Sequence, residues 1–471
     1  LQVMESNEKD EVRIKGTKLS QPLSPGVEFS SLDNEIPTLI DASGYDTVDI
    51  GYFANDQKIS LPVNKLDFEM GSTFIFVVAE PGNAKSTHTT LMILKRIAKS
   101  GLNVIHMDPK DDFALQNLAI KTDQGAKQYL TNNGFEFKEI DLSLDVRLDL
   151  NLVNFEEITI NLKVLNSRNT FNSNFNTKMN EQFSNLMFKK LNKNLTIDDA
   201  TLKLYAKEIL EEMAKNDLAS QIYSPTGKTF ETYKSNLRSV ASSEEKLNHI
   251  LNLQKIVLSY FDESKTYTPE KIIEESFDNR KKTYFLIRTL SDKSKNKYAK
   301  YVVDYFTSKI IQEANNTLES LPNDEKVNTI LITDELSKLT PSRKPSKFQE
   351  ETIDAMISIL DVTGRSRSFG VLFCTQSVEQ IENRVVSRLL SHEVHVGYGV
   401  RGKIIRDIKD KLNSDSNVDK LLAIPAPHAP RGDLKEYHFF VIGKYSLFSE
   451  SLGLLYKVVV GNENESIRND E

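Results

Sequence analysis

The residues with the clearest chemical potential lie in Gly71 to Leu91, GSTFIFVVAEPGNAKSTHTTL: an apolar run that reads as a buried strand, a tight turn, then a helix starting at Lys85 and Ser86. Triphosphate oxygens demand this layout. Backbone N–H groups at a helix N-terminus cradle them, a lysine meets the β and γ phosphates, and a hydroxyl takes Mg²⁺. The segment is a Walker A loop, with Gly82, Asn83, Ala84, Lys85, Ser86 and Thr87 as nucleotide-binding residues and Ser86 also as a Mg²⁺ ligand. It carries Ala79 and Ala84 where the pattern asks for glycine and keeps only Gly82 between them. Alanine enters the left-handed backbone region poorly. The expectation is a strained or slightly reshaped loop that binds phosphate, with a normal hydrolysis rate left open.

A second constellation closes the strand VNTILITDE, where Asp334 and Glu335 form a Walker B pattern. Asp334 would hold Mg²⁺ through water, and Glu335 would polarise the water that attacks the γ-phosphate. An Asp-Glu pair at a helix start is equally common on its own, but a Walker A loop on the same inferred sheet tilts the balance to catalysis. The third constellation is TGRSRSFGVLFCTQS. Gln376 stands where that strand emerges and can sense the γ-phosphate. Arg365 or Arg367 could reach the nucleotide of a neighbouring subunit and stabilise spread charge, Arg365 being the better candidate. For Arg367 a solvated basic turn is as good a reading.

These residues need a scaffold, and the chain supplies one in pieces. Residues 1–37 are polar and aperiodic, an arm or linker; 38–70 alternate short apolar runs with turns, a β-rich lead-in. From 71 to 159 the order is βαβαβ, with LNVIHMDPK and FKEIDLS as second and third strands, which predicts buried parallel strands. Between 160 and 279 amphipathic helices take over, an inserted helical domain. One stripe is Leu202, Tyr205, Ile209 and Met213; another runs from Leu247 to Phe261 and opens on a capping box of Ser242 and Glu245. From 280 to 460 strands resume with TYFLIRTL, VNTILITDE, FGVLFCTQS and EVHVGYG, and 461–471 form an acidic tail.

Composition narrows the class. A length of 471 residues suits two or three domains, and 39% hydrophobic with 27% charged residues is a globular balance. The single cysteine, Cys374, permits no intrachain disulfide and reads as a buried core thiol; with no HxxxH or CxxC spacing, a reducing compartment without a structural metal is expected. The longest apolar runs fall well short of the ~20 residues of a membrane span. The chain begins at Leu1, which leaves an anchor or further domain outside it open. A net charge of −7 does not decide for or against DNA, since a motor can touch DNA with pore loops alone. His88 reads as a space-filling or solvated side chain.

In order and spacing, DIGYFANDQKISLP, the Walker A loop, MDPKDDF, DLNLVNF, ITDEL and GRSRSFGVLFCTQSVEQI resemble the FtsK/HerA superfamily of DNA-pumping ATPases, nearest to the HerA-like helicases and the conjugative coupling proteins of type IV secretion. The resemblance covers most of residues 45–443. It implies an α/β fold: a RecA-like P-loop NTPase core with a mainly parallel sheet, an inserted all-helical domain and a small β-rich N-terminal lead-in. Lys85, Ser86, Asp334, Glu335 and Gln376 match the family's nucleotide and hydrolysis positions, and Arg365 the arginine before the sensor strand. Asp108 and Lys110 match a DPK turn with no assigned role. The implied activity is ATP hydrolysis with Mg²⁺, coupled to moving DNA through a ring, commonly a hexamer. Such a chain works in the cytoplasm or, through an anchor or partner, at the cytoplasmic face of the membrane with secretion or transfer machinery. Arg343, Lys344 and Lys347 are the nucleic-acid candidates; Arg401, Lys403, Arg406, Lys409 and Lys411 fit an exposed helix face better. A nucleotide-gated assembly or adaptor protein with weak turnover, and a protein-secretion motor on the same core, are the competing readings.

Overall fold

In the computed structural model of the chain, the described residues are 3–6, 12–15, 47–52, 58–62, 74–108 with gaps at 83–84, 86–87, 90–95 and 97, 126–148 except 143, 173–191, 197–222, 228–259, 261–288, 297–409 except 334, 415–428, 435–442 and 453–460. The acidic tail lies outside them. Two compact units divide the chain: the first holds residues 1–139, 273–286 and 311–471, the second 140–272 and 287–310.

The first unit is organised by buried parallel strands of mainly apolar sequence. Phe74–Val78 (β5), Asn103–Asp108 (β6), Thr329–Thr333 (β9) and Phe369–Thr375 (β10) are buried at every position, as is Glu393–Gly397 (β11). Strands buried on both faces take β-branched and aromatic residues throughout instead of alternating them with polar ones. Each large apolar side chain so buried contributes about 1.5–3 kcal/mol by leaving water. The pairings β11/β5, β5/β10, β10/β9 and β9/β6 are all parallel. On the far side of β11 the direction changes, and Lys435–Ile442 (β12), Gly453–Val460 (β13), Thr47–Tyr52 (β3) and Lys58–Pro62 (β4) continue antiparallel. Thr283–Arg288 (β8) and Glu136–Asp141 (β7) complete an eleven-stranded sheet of order β4-β3-β13-β12-β11-β5-β10-β9-β6-β8-β7. Within the segment read as an arm, Val3–Ser6 (β1) and Val12–Lys15 (β2) pair as a separate antiparallel ribbon.

Buried polar side chains fix the strand ends. Asn103 accepts from the Thr283 N–H at 2.7 Å and donates to the Asp278 carbonyl at 3.2 Å, tying β6 to the start of β8. Arg367 closes the end of the long helix Lys297–Ser320: it donates to the carbonyls of Pro322 and, at 2.8 Å, Leu321, satisfying acceptors that the helix leaves behind.

The second unit contains the helices Ser173–Leu191, Asp199–Met213, Asn216–Ile222, Lys228–Ala241 and Glu244–Ser259. Leu202, Ile209 and Met213 are buried as their spacing predicts, with Tyr205 half-buried and Ala206 and Leu210 widening the stripe. The cap of the last helix shifts by one from the sequence reading. Ser243, not Ser242, accepts from the Lys246 N–H at 3.4 Å, while the Ser242 hydroxyl turns back to the Arg238 carbonyl at 2.9 Å. Two consecutive serines offer the same cap chemistry, and the end of the preceding helix at Ala241 claims the first of them.

Candidate nucleotide site

Strand register brings the predicted residues to one edge. The last pairs are Val396 with Val78, Val78 with Thr375, Phe373 with Thr333, and Thr333 with Met107. The segments that follow β5, β10, β9 and β6 therefore all leave at the carboxyl edge on adjacent strands, each about 4.8 Å from the next. After β5 comes the Walker A sequence, after β10 Gln376, and after β9 the stretch that carries Glu335. In open α/β sheets this edge is where ligands bind, beside the strand at which the winding reverses. Here the chain crosses over β5 between β10 and β11, so the loop sits at that point. The strand carrying Gln376 lies between the Walker A and Walker B strands, which puts a polar amide between the phosphate loop and the acidic pair.

Gly82 has φ +81, a left-handed conformation that only glycine adopts freely, and it is exposed at the apex of the turn. Lys85 follows in helical conformation and is 5% exposed. A left-handed glycine followed three residues later by a lysine in helical conformation is the backbone pattern of an anion-binding turn. Asn83, Ala84, Ser86, Thr87 and Asp334 lie outside the described residues, as does Lys110.

The strain expected at Ala79 is absent, because it is not among the described non-glycine residues with positive φ. It is the last buried residue of the strand run, fully enclosed, and its N–H reaches the Thr375 carbonyl at 3.4 Å. Across the sheet Gly397 makes the room: a Cβ there would stand 2.6 Å from that of Ala79. The missing methyl has moved to the neighbouring strand.

Glu335 is half-buried at the start of the short helix Leu336–Leu339, and its Oε1 accepts from the Ser337 hydroxyl at 3.1 Å. Gln376 is exposed; the Thr375 hydroxyl accepts from the Ser377 N–H at 3.2 Å, which shapes the turn that carries it. The two arginines of GRSRS part company. Arg365 is exposed, whereas Arg367 is 7% exposed and bound to carbonyls, so the solvated turn considered for Arg367 is replaced by a helix-end clamp. Both precede β10, at the amino edge of the sheet. Seven strand residues at about 3.3 Å each separate Arg365 from Gln376 by roughly 20 Å.

Arg343, Lys344 and Lys347 are exposed beyond the Walker B strand. Lys344 has φ +47, and Lys347 opens the helix Lys347–Ser358 at 4.0 Å from Glu351. In the second basic cluster, Arg401 and Arg406 are exposed, and Lys409 is half-buried on the helix Lys403–Lys409.

Cys374 is buried as its apolar strand predicts. His88 is not solvated: it is fully buried and hydrogen-bonded to His395 and Tyr456. One signal for this was present in sequence, since EVHVG carries Glu393 and His395 at alternate positions of an otherwise apolar strand, which puts two polar groups on one buried face. Among the described residues, no helix is long and apolar enough to cross a membrane.

No family model matches the chain, and no curated protein matches it. Among solved structures, it is similar to the bacterial conjugative coupling protein TrwBdeltaN70 in an unbound form, at 10% identity and a TM-score of 0.40, covering 91% of this chain and 84% of that one. It is also similar to VirB4 of Thermoanaerobacter pseudethanolicus, at 13% identity and a TM-score of 0.43, covering 89% and 97%. A third likeness, to the genome packaging NTPase B204 from Sulfolobus turreted icosahedral virus 2 in complex with ATP-gammaS, has 17% identity and a TM-score of 0.25 over 41% and 71%. Likenesses at these scores assign neither family nor activity, and what stands on its own is the order and register of the sheet: a mostly parallel α/β core of the RecA-like P-loop kind.

Proposed function

We propose that the chain is an ATP-driven, ring-forming DNA translocase. One observation carries the ATPase reading: Gly82, Lys85, Gln376 and Glu335 leave adjacent parallel strands at a single sheet edge, with the Gln376 strand between the other two. In this reading the loop N–H groups and Lys85 hold the phosphates. Ser86 and Asp334 would hold Mg²⁺, which would supply charge neutralisation at the phosphate oxygens. Glu335 orients the attacking water, and Gln376 meets the γ-phosphate. In this reading Arg365, exposed and about 20 Å from its own phosphate edge, serves a neighbour's site, and that placement supports a ring. DNA is proposed from the sequence resemblance, with Arg343, Lys344 and Lys347 as contacts. The domain plan belongs to the same reading: an arm at 1–37, a lead-in at 38–70, core segments at 71–159 and 280–460, and an inserted helical domain at 160–279. Its place is the cytoplasm or the cytoplasmic face of a membrane-bound transfer machinery.

The test is ATP turnover by the purified chain with and without duplex DNA, beside Lys85→Ala. DNA-stimulated hydrolysis that falls to background in the variant is expected. Nucleotide binding without turnover would point to the nucleotide-gated assembly protein instead, and turnover with no affinity for nucleic acid would favour a protein motor.

A further inference from the structure

The helix behind the phosphate loop is pinned to both strands that flank β5. His395 on β11 and Cys374 on β10 each pair with Val77 of β5, so the three residues form one row across the sheet and project from the same face. Over one end of that row lies His88, whose Nε2 is 3.1 Å from His395 Nδ1 and 2.9 Å from the Tyr456 hydroxyl. Over the other end lies Thr89, with its hydroxyl 3.0 Å from Cys374 Sγ. Both residues follow Lys85 by one helical turn.

A chain of contacts runs along the β11 side. Arg96 donates to both Glu393 oxygens at 2.6 Å. Burial pushes the Glu393 carboxyl up, but the Arg96 charge and the His395 hydrogen bond prevail and hold it at about 2. Glu393 Oε1 accepts from His395 Nε2 at 2.5 Å. The Tyr456 hydroxyl stands 2.7 Å from His395 Nδ1 and 2.9 Å from His88 Nε2 and so bridges the two rings, while Phe439 stacks on the His88 ring with centroids 4.1 Å apart.

We infer that His88 is a positioning residue for the phosphate-binding lysine: its imidazole ties the first turn of the loop helix to β11 and β13, and Thr89 ties the same turn to β10. The inference rests on the ATPase reading, since it acts through Lys85.

The experiment is ATP hydrolysis and nucleotide affinity for the wild-type chain, Lys85→Ala, His88→Phe and His88→Gln, with melting curves alongside. Phenylalanine fills the site without a polar atom, and kcat is expected to fall about 10–100-fold, the scale of a displacement near 1 Å in a reacting group. Glutamine keeps a polar N–H and should restore most of the turnover. Lys85-dependent hydrolysis that is unchanged in His88→Phe, or a fall in His88→Gln as large as in His88→Phe, overturns the inference alone. Absence of Lys85-dependent hydrolysis in the wild type overturns the ATPase reading and the inference with it. Should His88→Phe fail to fold, Tyr456→Phe, which removes the hydroxyl beside His88 Nε2, decides: unchanged turnover there overturns the inference.

Discussion

The two ends of strand β10 put similar polar residues to different uses. At its carboxyl end Gln376 is exposed beside the phosphate loop, on an edge shared with Lys85 and Glu335. At its amino end two arginines follow a π turn, Ile359–Thr363, that requires Gly364, because a Cβ there would meet the Ile359 carbonyl at 2.6 Å. The turn leaves Arg367 buried against the end of the Lys297–Ser320 helix and Arg365 facing out. The carboxyl end gathers side chains of one chain on one edge. What the amino end offers is either structural, as in Arg367, or available only to another molecule, as in Arg365.

That contrast can be broken at three depths. The largest effect is expected at Arg365: replacing it with alanine should lower DNA-stimulated turnover about 10³-fold or more, as for other arginines supplied to a γ-phosphate from outside the site. Nucleotide affinity and thermal stability should stay at wild-type levels, which calorimetry and a melting curve will check. Arg367→Ala reverses the pattern. It strips donors from buried carbonyls and should cost about 2 kcal/mol of stability by denaturant unfolding, while turnover per folded molecule is retained. The smallest effect concerns neither end. Neutralising Lys344 and Lys347 to glutamine should reduce the slope of log affinity for duplex DNA against log salt by about 2, one phosphate contact apiece. An unchanged slope removes that loop from the DNA site.

Much of the core was legible because its strands are short apolar runs bounded by turns, and because the phosphate loop, the acidic pair and the GRSRS segment occur in an order that a parallel sheet must thread. Local ambiguity explains one miss, the cap at Ser243, where adjacent serines are chemically equal. The others depend on partners distant in sequence. Ala79 reads as a defect until Gly397 is found beside it. Arg365 and Arg367 are indistinguishable by type and spacing, and only the π turn and the end of another helix sort them. His88 is one residue in a threonine-rich stretch, and its partners come from β11 and β13. The available hint was Glu393 and His395 at alternate positions of the otherwise apolar EVHVG.

The central claim is a phosphate site completed by a neighbouring chain, and mixing two inactive variants tests it most directly. Lys85→Ala lacks the phosphate lysine but retains Arg365; Arg365→Ala has the reverse defect. In an equimolar mixed ring, each head-to-tail interface pairs an intact lysine with an intact arginine in roughly one case in four, so about a quarter of wild-type ATP turnover should return. No recovery, from proteins shown to co-assemble, would contradict a shared site and confine catalysis to the carboxyl edge of a single chain.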